Sequence, residues 1–294
     1  KELELDYETL QKVNPQLMMT SITPFGQTGP YRDYKSCDLI SFHIGGMGSV
    51  TPDWVKNPAL EPPLKGGGRQ ADFMTGITAA MATMAANFAR QSSGLGQHID
   101  LSEHESVVYA LGRLISRHFS EKLDYRRARS PTMEHPIACK DGYIEFHVGE
   151  DAHWQAFKKI VGLEGLASDK FKDYYARCQN WDDFESLLLQ WTMEHTKEEI
   201  YHTMQTQHVA LAPVNTARDL LRSKHLAERE YFVEIDHPEA GKITYPGSPY
   251  RLSQTPRQIN RPAPLLGQHN EEVLCRRLGY TPQELLKMKE AGIV

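Results

Sequence analysis

Apolar residues dominate one long stretch of the chain, FMTGITAAMATMAANFAR at 73–90, in which alanines and methionines leave few polar positions on any side. A helix that is apolar all round is usually a buried one, so we expect a buried helix here. The glycines at 94 and 96 can end that helix in the left-handed conformation, and HIDL after them alternates like a short strand.

The residues on either side of this helix predict further elements of an α/β fold. YETLQKVNP predicts a short helix that ends near Asn14, and the run from Leu17 to Ile22 predicts a strand that leads into a Gly/Pro turn. Ser102 and Glu105 have the spacing of a capping box, which predicts a second helix that continues through VVYALGRLISRHF. A strand followed by a glycine-rich turn is a common ligand site in such folds.

The second half of the chain changes character after a polar, highly charged segment, SEKLDYRRARSP, which favours a linker. Beyond it, DGYIEFHV alternates at strand period, three helices follow at about 151–162, 180–194 and 197–207, and HPEAGKITYPGSPYRLS has the pattern of a β-hairpin. The sequence therefore predicts a large domain, a linker, a small α+β domain and a return segment, at 1–119, 120–131, 132–253 and 254–294.

Composition and charge exclude several classes of function. A net charge of -5 without a basic patch is atypical of nucleic-acid binding. Four scattered cysteines, at 37, 139, 178 and 275, indicate reduced thiols rather than a disulfide framework. No apolar run approaches the roughly 18 residues of a membrane span, and the charged first residues are unlike a signal peptide, so we expect a cytoplasmic protein.

Histidines and acidic residues offer one candidate metal site. His195, Glu199 and His202 could share one face of a helix, but they lack the usual HExxH order. A solvated helix face fits them better, and we expect no bound metal.

The segment KGGGRQADFMTG, at 65–76, carries the candidate chemistry. Asp72 stands at the mouth of the apolar helix, where the free amides and the positive end of the helix dipole favour an ionised carboxylate. Gly67 and Gly68 let backbone amides approach a ligand, and Arg69 can hold an anionic group. A carboxylate beside amide donors can attack an activated acyl group, because the amides stabilise the resulting oxyanion. An ordinary acidic residue in a first helical turn fits the same local pattern, and GGGR is not a phosphate-binding loop.

A resemblance decides between these two interpretations. Seven blocks occur in the chain in family order: ITPFGQTGPY, SCDLISFHIGGMGSV, the long run PLKGGGRQADFMTGITAAMATMAANFARQSSGLGQHIDLSEHESV, DGYIEFHV, APVNTARDLL, HPEAGKITYPGSPYRLS and APLLGQHNEEVL. This succession resembles the family III CoA-transferases. Relative to the family pattern, we expect about the first hundred residues to be missing.

The resemblance implies roles for individual residues. Asp72 matches the aspartate that attacks an acyl-CoA thioester and forms a covalent intermediate, and Gln27 matches a residue beside the reacting carboxylates. We expect coenzyme A to contact three further groups of residues: Gly67, Gly68 and Arg69; Tyr34 and Lys35; and Arg127 in the linker. No cofactor should be permanently bound, since the coenzyme A thioester is itself a substrate, with a free carboxylic acid as the second one.

The family also implies an architecture: a partial Rossmann-like large domain formed from both chain ends, a smaller α+β domain, and an interlocked homodimer, possibly with a separate N-terminal chain. Two alternatives stay open. The chain could be an acyl-CoA epimerase with Asp72 as base, although Cys37 stands where the racemase branch has histidine, and a thiol exchanges protons poorly at neutral pH. It could also be a non-catalytic subunit or fragment.

Overall fold

A computed structural model describes residues 3–52, 55, 57, 59–122, 135–256, 258–259 and 261–294. The described residues form an α/β mixture, as the sequence predicts. The chain divides into two compact units, Lys1–Pro213 and Val214–Val294. Arg127 and most of the predicted linker lie outside the described residues, and the four predicted domain ranges stay a prediction.

The first part of the first unit is built on a pair of parallel strands with helices between and after them. The register pairs Met19 with His98 and Thr23 with Ser102. The elements are α1 (Tyr7–Val13), β1 (Met19–Thr23), α2 (Asp38–Ile44), α3 (Gln70–Ser93), β2 (His98–Ser102), α4 (Glu103–Ala110) and α5 (Gly112–Glu121), with a 3₁₀ turn at Met47–Val50. Because β1 and β2 run parallel, the polypeptide between them crosses from one end of the strands back to the other.

Helix α3 is longer than predicted, and the prediction of burial all round is wrong. Ala71, Thr75, Ala79 and Ala86 are buried on one side. Another side of α3 carries a stripe of apolar residues, each with more than half of its surface exposed: Phe73, Ile77, Met81, Met84 and Phe88. Burial depends on what covers a helix as well as on its composition, and within the described chain nothing covers this stripe.

The helix predicted after Ser102 is divided in two. Ser102 does cap α4, because its hydroxyl accepts a hydrogen bond from the Glu105 backbone at 3.2 Å. The helix then ends at Leu111, and α5 begins at Gly112. Glycine costs helical stability relative to alanine, so the break falls where the helical preference of the sequence is weakest.

Residues 135–213 contain a second core within the same unit. The three-stranded antiparallel sheet β3–β4–β5 comprises Ile137–Cys139, Gly142–Phe146 and Leu211–Pro213. The helices are α6 (Asp151–Val161), α7 (Tyr174–Gln179), α8 (Trp181–Thr192) and α9 (Lys197–Gln205), with 3₁₀ turns at Glu164–Ala167 and Asp169–Phe171. Trp154, Phe157, Phe184 and Leu188 are almost fully buried in this core. The predicted capping box of Thr196 and Glu199 begins α9.

The second unit contains short helices, a hairpin and a terminal helix. Its elements are α10 (Ala217–Leu221), α11 (Lys224–Glu228), β6 (Phe232–His237), β7 (Gly241–Pro246), a π-helix at Glu271–Arg277, and α12 (Pro282–Glu290). The hairpin begins before the predicted segment, since β6 pairs with β7 from Phe232 onward. Thr216 caps α10 as predicted, and Thr281 forms the predicted capping box with Glu284.

Over the described ranges, no helix combines the length and the apolar character that crossing a membrane requires.

Candidate active site

The glycine loop before α3 is open toward its surroundings. A Cβ built on Gly67 or Gly68 would meet no atom of the described residues within 4 Å, and Gly68 has a φ of +75°, which disfavours other residues. Lys65 donates from Nζ to the carbonyl of Gly68, and Gln70 donates from Nε2 to the carbonyl of Gly67 at 3.2 Å. The loop carbonyls are thus held by side chains, which leaves the open side of the loop for a ligand.

Asp72 occupies the first turn of α3, as predicted, and is partly accessible. Its Oδ2 lies 2.8 Å from Nε of Arg69, and the exposed fractions of the two side chains are 39% for Asp72 and 75% for Arg69. This exposure leaves the carboxylate reachable from solvent. The sequence-predicted pair of Asp72 and Arg69 is therefore brought together.

Asp38 lies directly behind Asp72 and was not predicted as a site residue. Its Oδ1 accepts a hydrogen bond from the Asp72 backbone N–H at 3.1 Å, and its Oδ2 lies 2.7 Å from Nζ of Lys65. Burial alone would raise the pKa of Asp38, but the hydrogen bonds from Lys65 and Asp72 outweigh it and lower this pKa below its ordinary value. Asp38 is consequently an anion that fixes the start of α3.

Glu103 is the second unpredicted carboxyl group. It begins α4 directly after β2 and is only 9% exposed. Burial raises the pKa of Glu103, and the negative charges of Asp72 and Asp38 raise it further, while a hydrogen bond from Ser41 acts in the opposite direction. Its Oε1 is buried without a hydrogen-bond partner among the described residues.

Carboxylate oxygens of Asp38, Asp72 and Glu103 all lie within 4.8 Å of one another. This spacing could accommodate a cation, which the sequence does not predict. Lys65 already neutralises Asp38, and Arg69 already neutralises Asp72. The cluster therefore consists of two ion pairs and one buried acid.

Gln27 lies in a loop that Asp100 holds in place. The Gln27 backbone N–H donates to both carboxylate oxygens of Asp100, at 3.1 and 3.0 Å. Gly26 before it has a φ of +80°, a conformation that favours glycine. Gln27 lines a cavity of about 900 Å³ with Ser21 and His98, whereas Asp72 lines a different depression. Among the described residues, no hydrogen bond joins Gln27 to Asp72.

Tyr34 and Lys35 are both on the surface, as a ligand-contacting role requires. Tyr34 stacks on Tyr31 with ring centroids 4.9 Å apart, and Phe25 meets it edge-on at 6.4 Å. In the part of the chain that the structure describes, Lys35 forms no ion pair, so its charge is available to an anionic ligand.

An open, largely apolar depression of about 440 Å³ adjoins Asp72. Its lining consists of Arg69, Asp72, Phe73, Gly76, Ile77 and Ala80. It continues along the exposed stripe of α3. A carboxylate at the rim of an apolar surface is suited to meet a substrate that is partly apolar and reacts at a carbonyl group.

The fold and this cluster define an α/β protein with an accessible carboxylate at a glycine-rich helix start. Residues 1–270 match the sequence pattern of CoA-transferase family III, and the chain belongs to that family. It is an enzyme of the CoA-transferase type, as the sequence analysis predicts.

Relatives with assigned activities support the same conclusion. The succinyl-CoA:(R)-benzylsuccinate CoA-transferase subunit BbsE of Thauera aromatica is 31% identical, over 99% of this chain and 73% of that protein. The succinate–glutarate CoA-transferase of Agrobacterium fabrum is 32% identical, over 92% of this chain and 68% of that protein.

Among solved structures, a CAIB/BAIF family protein from Brucella suis superposes with a TM-score of 0.80 at 24% identity. The match covers 94% of this chain and 71% of that one. At this identity the likeness concerns the fold.

Proposed function

We propose that this chain transfers coenzyme A between two carboxylic acids through a covalent intermediate on Asp72. The observation that carries the proposal is the position of Asp72: an accessible carboxylate, ion-paired with Arg69, in the first turn of α3 beside an open glycine loop. An anion so placed is a nucleophile with cationic and amide groups nearby to balance the charge that moves onto a thioester oxygen.

The proposed reaction begins with attack by a carboxylate oxygen of Asp72 on the thioester carbonyl carbon. The C–S bond breaks, the thiolate of coenzyme A leaves, and a mixed anhydride remains. The thiolate then attacks the Asp72 carbonyl, which releases the donor as a free carboxylate and forms an aspartyl thioester. The acceptor carboxylate repeats the two steps in reverse, so no proton is consumed overall.

Several amides near Asp72 differ in their availability for the oxyanion. The Asp72 N–H is engaged by Asp38 and cannot serve. Within the described residues, the N–H groups of Gly67 and Gly68 have no hydrogen-bond acceptor, and the space beside each α-carbon, where a Cβ would lie, is open. We therefore assign the oxyanion contacts to the glycine loop, and contacts with coenzyme A to Tyr34, Lys35 and, from the charged linker sequence alone, Arg127.

Chemical trapping tests the covalent step. The protein is incubated with succinyl-CoA and treated with hydroxylamine, which converts an acylated aspartate to a hydroxamate, and peptides are examined by mass spectrometry. We expect the mass change on Asp72, and no modified peptide in an Asp72→Asn variant. The Asp38→Asn variant is the matched control, because it removes a neighbouring carboxylate that should not be acylated.

An unmodified Asp72 in a protein that turns over would refute the covalent mechanism. The same assay with α-deuterated acyl-CoA tests the epimerase alternative: loss of deuterium without exchange of coenzyme A would favour it. Cys37 is exposed at the start of α2. A Cys37→Ala variant that retains full transfer would show that transfer does not use this thiol.

The relatives suggest which acids to test first. The names of the proteins from Thauera and Agrobacterium combine succinate or succinyl-CoA with a second dicarboxylic acid. We propose a dicarboxylic acid as the acceptor here as well. Assays with succinyl-CoA as donor should show faster transfer to a dicarboxylic acid than to its monocarboxylic analogue, and equal rates would contradict this choice.

We also propose that the chain functions as an intertwined homodimer, as the resemblance implies. The exposed stripe of α3 supports this, because a contiguous apolar helix face on a folded protein commonly marks an interface. Light scattering of the wild-type chain should give twice the chain mass. Phe88→Glu places a charge within the stripe and should shift the mass toward the monomer, whereas Arg113→Glu, an exposed change on α5, should not.

A further inference from the structure

We propose that Glu103 is a positioning residue that stays protonated beside Asp72 and donates its proton in a hydrogen bond to the Asp72 carboxylate. The orienting role rests on the function proposed above, whereas the protonation does not. A neutral donor on one oxygen of Asp72 would leave the other oxygen directed outward for attack.

The charges around the cluster support a proton on Glu103 rather than on its neighbours. Lys65 lies 2.7 Å from Asp38, and Arg69 lies 2.8 Å from Asp72. Among the described residues, no basic side chain forms an ion pair with Glu103. Three carboxyl groups within 4.8 Å of one another thus share two cations, and the carboxyl without a cation is the one that keeps a proton.

The burial of Glu103 leads to the same conclusion. The residue is 9% exposed, and among the described residues its Oε1 is buried without a hydrogen-bond partner. An ionised carboxylate in such a place would lose its hydration at Oε1 with no hydrogen bond to replace it, whereas a protonated carboxyl loses much less. The groups that face it are Asp38 and Ser41 from α2 and Asp72 from α3, and both charged groups among them are anions.

The same geometry accounts for what Glu103 does once Asp72 is acylated. The Asp72 carboxylate then becomes a carbonyl group, which still accepts a hydrogen bond. A proton donor beside it polarises that carbonyl toward attack by the next nucleophile. Glu103 therefore serves both halves of the reaction without transferring its proton, and the chemical balance given above is unchanged.

Infrared spectroscopy tests the protonation independently of activity. A protonated carboxyl has a C=O stretch that a carboxylate lacks, and the difference between wild type and Glu103→Gln isolates the band of Glu103. We expect this band to persist at pH values at which ordinary glutamates have lost it. In Asp72→Asn its midpoint should move to lower pH, because one neighbouring negative charge is gone. Glu105→Gln, an exposed change on the same helix, should leave the band unaltered.

Transfer rates test the orienting role. Glu103→Gln keeps a donor and cannot ionise, so kcat/KM should stay within about threefold of wild type. Glu103→Leu removes the donor at similar volume, and kcat/KM should fall at least about tenfold while the melting temperature stays close to that of Glu103→Gln. Equal impairment of both variants would overturn the proposal, since it would show that a charged carboxylate is needed, and an unimpaired Glu103→Leu would overturn it as well.

The two measurements separate this inference from the proposed function. A protein without transfer activity but with the persistent band would refute the function and leave the protonation standing. A band that disappears at the pH of ordinary glutamates, or that does not respond to Asp72→Asn, would refute the inference whatever the activity.

Discussion

The backbone N–H of Asp72 donates a hydrogen bond to the side chain of Asp38, 34 residues earlier in the chain. Arg69, at the N-cap position of α3, provides no side-chain cap of its own. Asp38 thus supplies from α2 the acceptor that a serine or aspartate would normally supply locally. Removing Asp38 should therefore affect the stability of α3 as well as the site.

The first prediction concerns the stability of the pair formed by Asp38 and Lys65. Asp38→Ala removes the cap and leaves the mostly buried Lys65 without its anion, so the free energy of unfolding should fall by about 2–4 kcal/mol. Asp38→Asn keeps an acceptor and should cost less. Urea unfolding of both variants measures this, and equal losses would show that the cap contributes nothing.

The pH dependence of stability provides a second prediction. The pKa of Asp38 is lowered in the folded state, so its contribution is present above its unfolded value of about 3.9 and is lost as pH falls through the folded pKa. The pKa of Glu103 is raised, so its contribution is present below its unfolded value of about 4.3 and is lost as pH rises through the folded pKa. Unfolding measured over a range of pH should show that the free energy of unfolding falls less steeply toward acid pH in Asp38→Asn than in wild type. In Glu103→Gln, the free energy of unfolding at neutral pH, compared with its value at acid pH, should be higher than in wild type. Unchanged profiles would contradict both assignments.

Replacing Arg69 should lower activity while leaving stability nearly unchanged. Its ion pair with Asp72 is largely exposed, so Arg69→Met should change the free energy of unfolding by less than about 1 kcal/mol. In the proposed mechanism, acylation of Asp72 would remove the anion that Arg69 contacts and leave the guanidinium to bind the incoming carboxylate. We expect kcat/KM for the acceptor acid to fall about tenfold or more, with partial recovery in Arg69→Lys, and parallel losses in stability would argue against a role in binding.

Asp100 and Gln27 should act as one unit. Asp100→Ala releases the Gln27 backbone, so it should lower the transfer rate in the same direction as Gln27→Ala. Because both changes disturb the same loop, the double variant should lose less than the sum of the single losses in activation free energy. Additive losses in the complete cycle would indicate that the two residues act separately.

Gly96 allows the residues before β2 to approach the backbone just before β1 closely. A Cβ at this position would lie 1.8 Å from the backbone oxygen of Leu17, so Gly96→Ala should destabilise the fold by at least about 1–3 kcal/mol. Gly112 is the matched control, since a Cβ there meets no atom within 4 Å in the part of the chain that the structure describes, and its φ is not positive. Gly112→Ala should be neutral or stabilising by up to about 1 kcal/mol, and a reversed order in thermal unfolding would contradict this interpretation.

The sequence predicts the parts of the site that depend on local pattern. Asp72, Arg69 and the glycine loop could be found because they are adjacent in the chain and match a family motif. Glu103 could not, because the local pattern there is the cap formed by Ser102, and its own burial depends on α2 and α3. The role of Asp38 could not be predicted for the same reason, since its ion-pair partner Lys65 lies 27 positions away in sequence.

The fold shows the same division between local and distant causes. Caps at Thr196, Thr216 and Thr281 were predictable, because a capping box involves only residues three positions apart. The exposure of Phe88 and its neighbours on α3 was not, because the amino-acid composition of a helix contains no information about which surfaces lie against it. The break at Leu111 depends on small differences in helix propensity, and the low propensity of Gly112 is enough to divide the helix there.

Strand β2 and the first residue of α4 hold Asp100 and Glu103 at a fixed spacing. Asp100, which holds the Gln27 loop, lies inside the strand, and Glu103 follows its last residue. Side chains alternate along a strand, so one inserted or deleted residue between these positions would turn one group to the opposite face. Length variation among related sequences should consequently be absent from this four-residue span and concentrated in the loops, which makes the span a fixed reference point for aligning distant homologues.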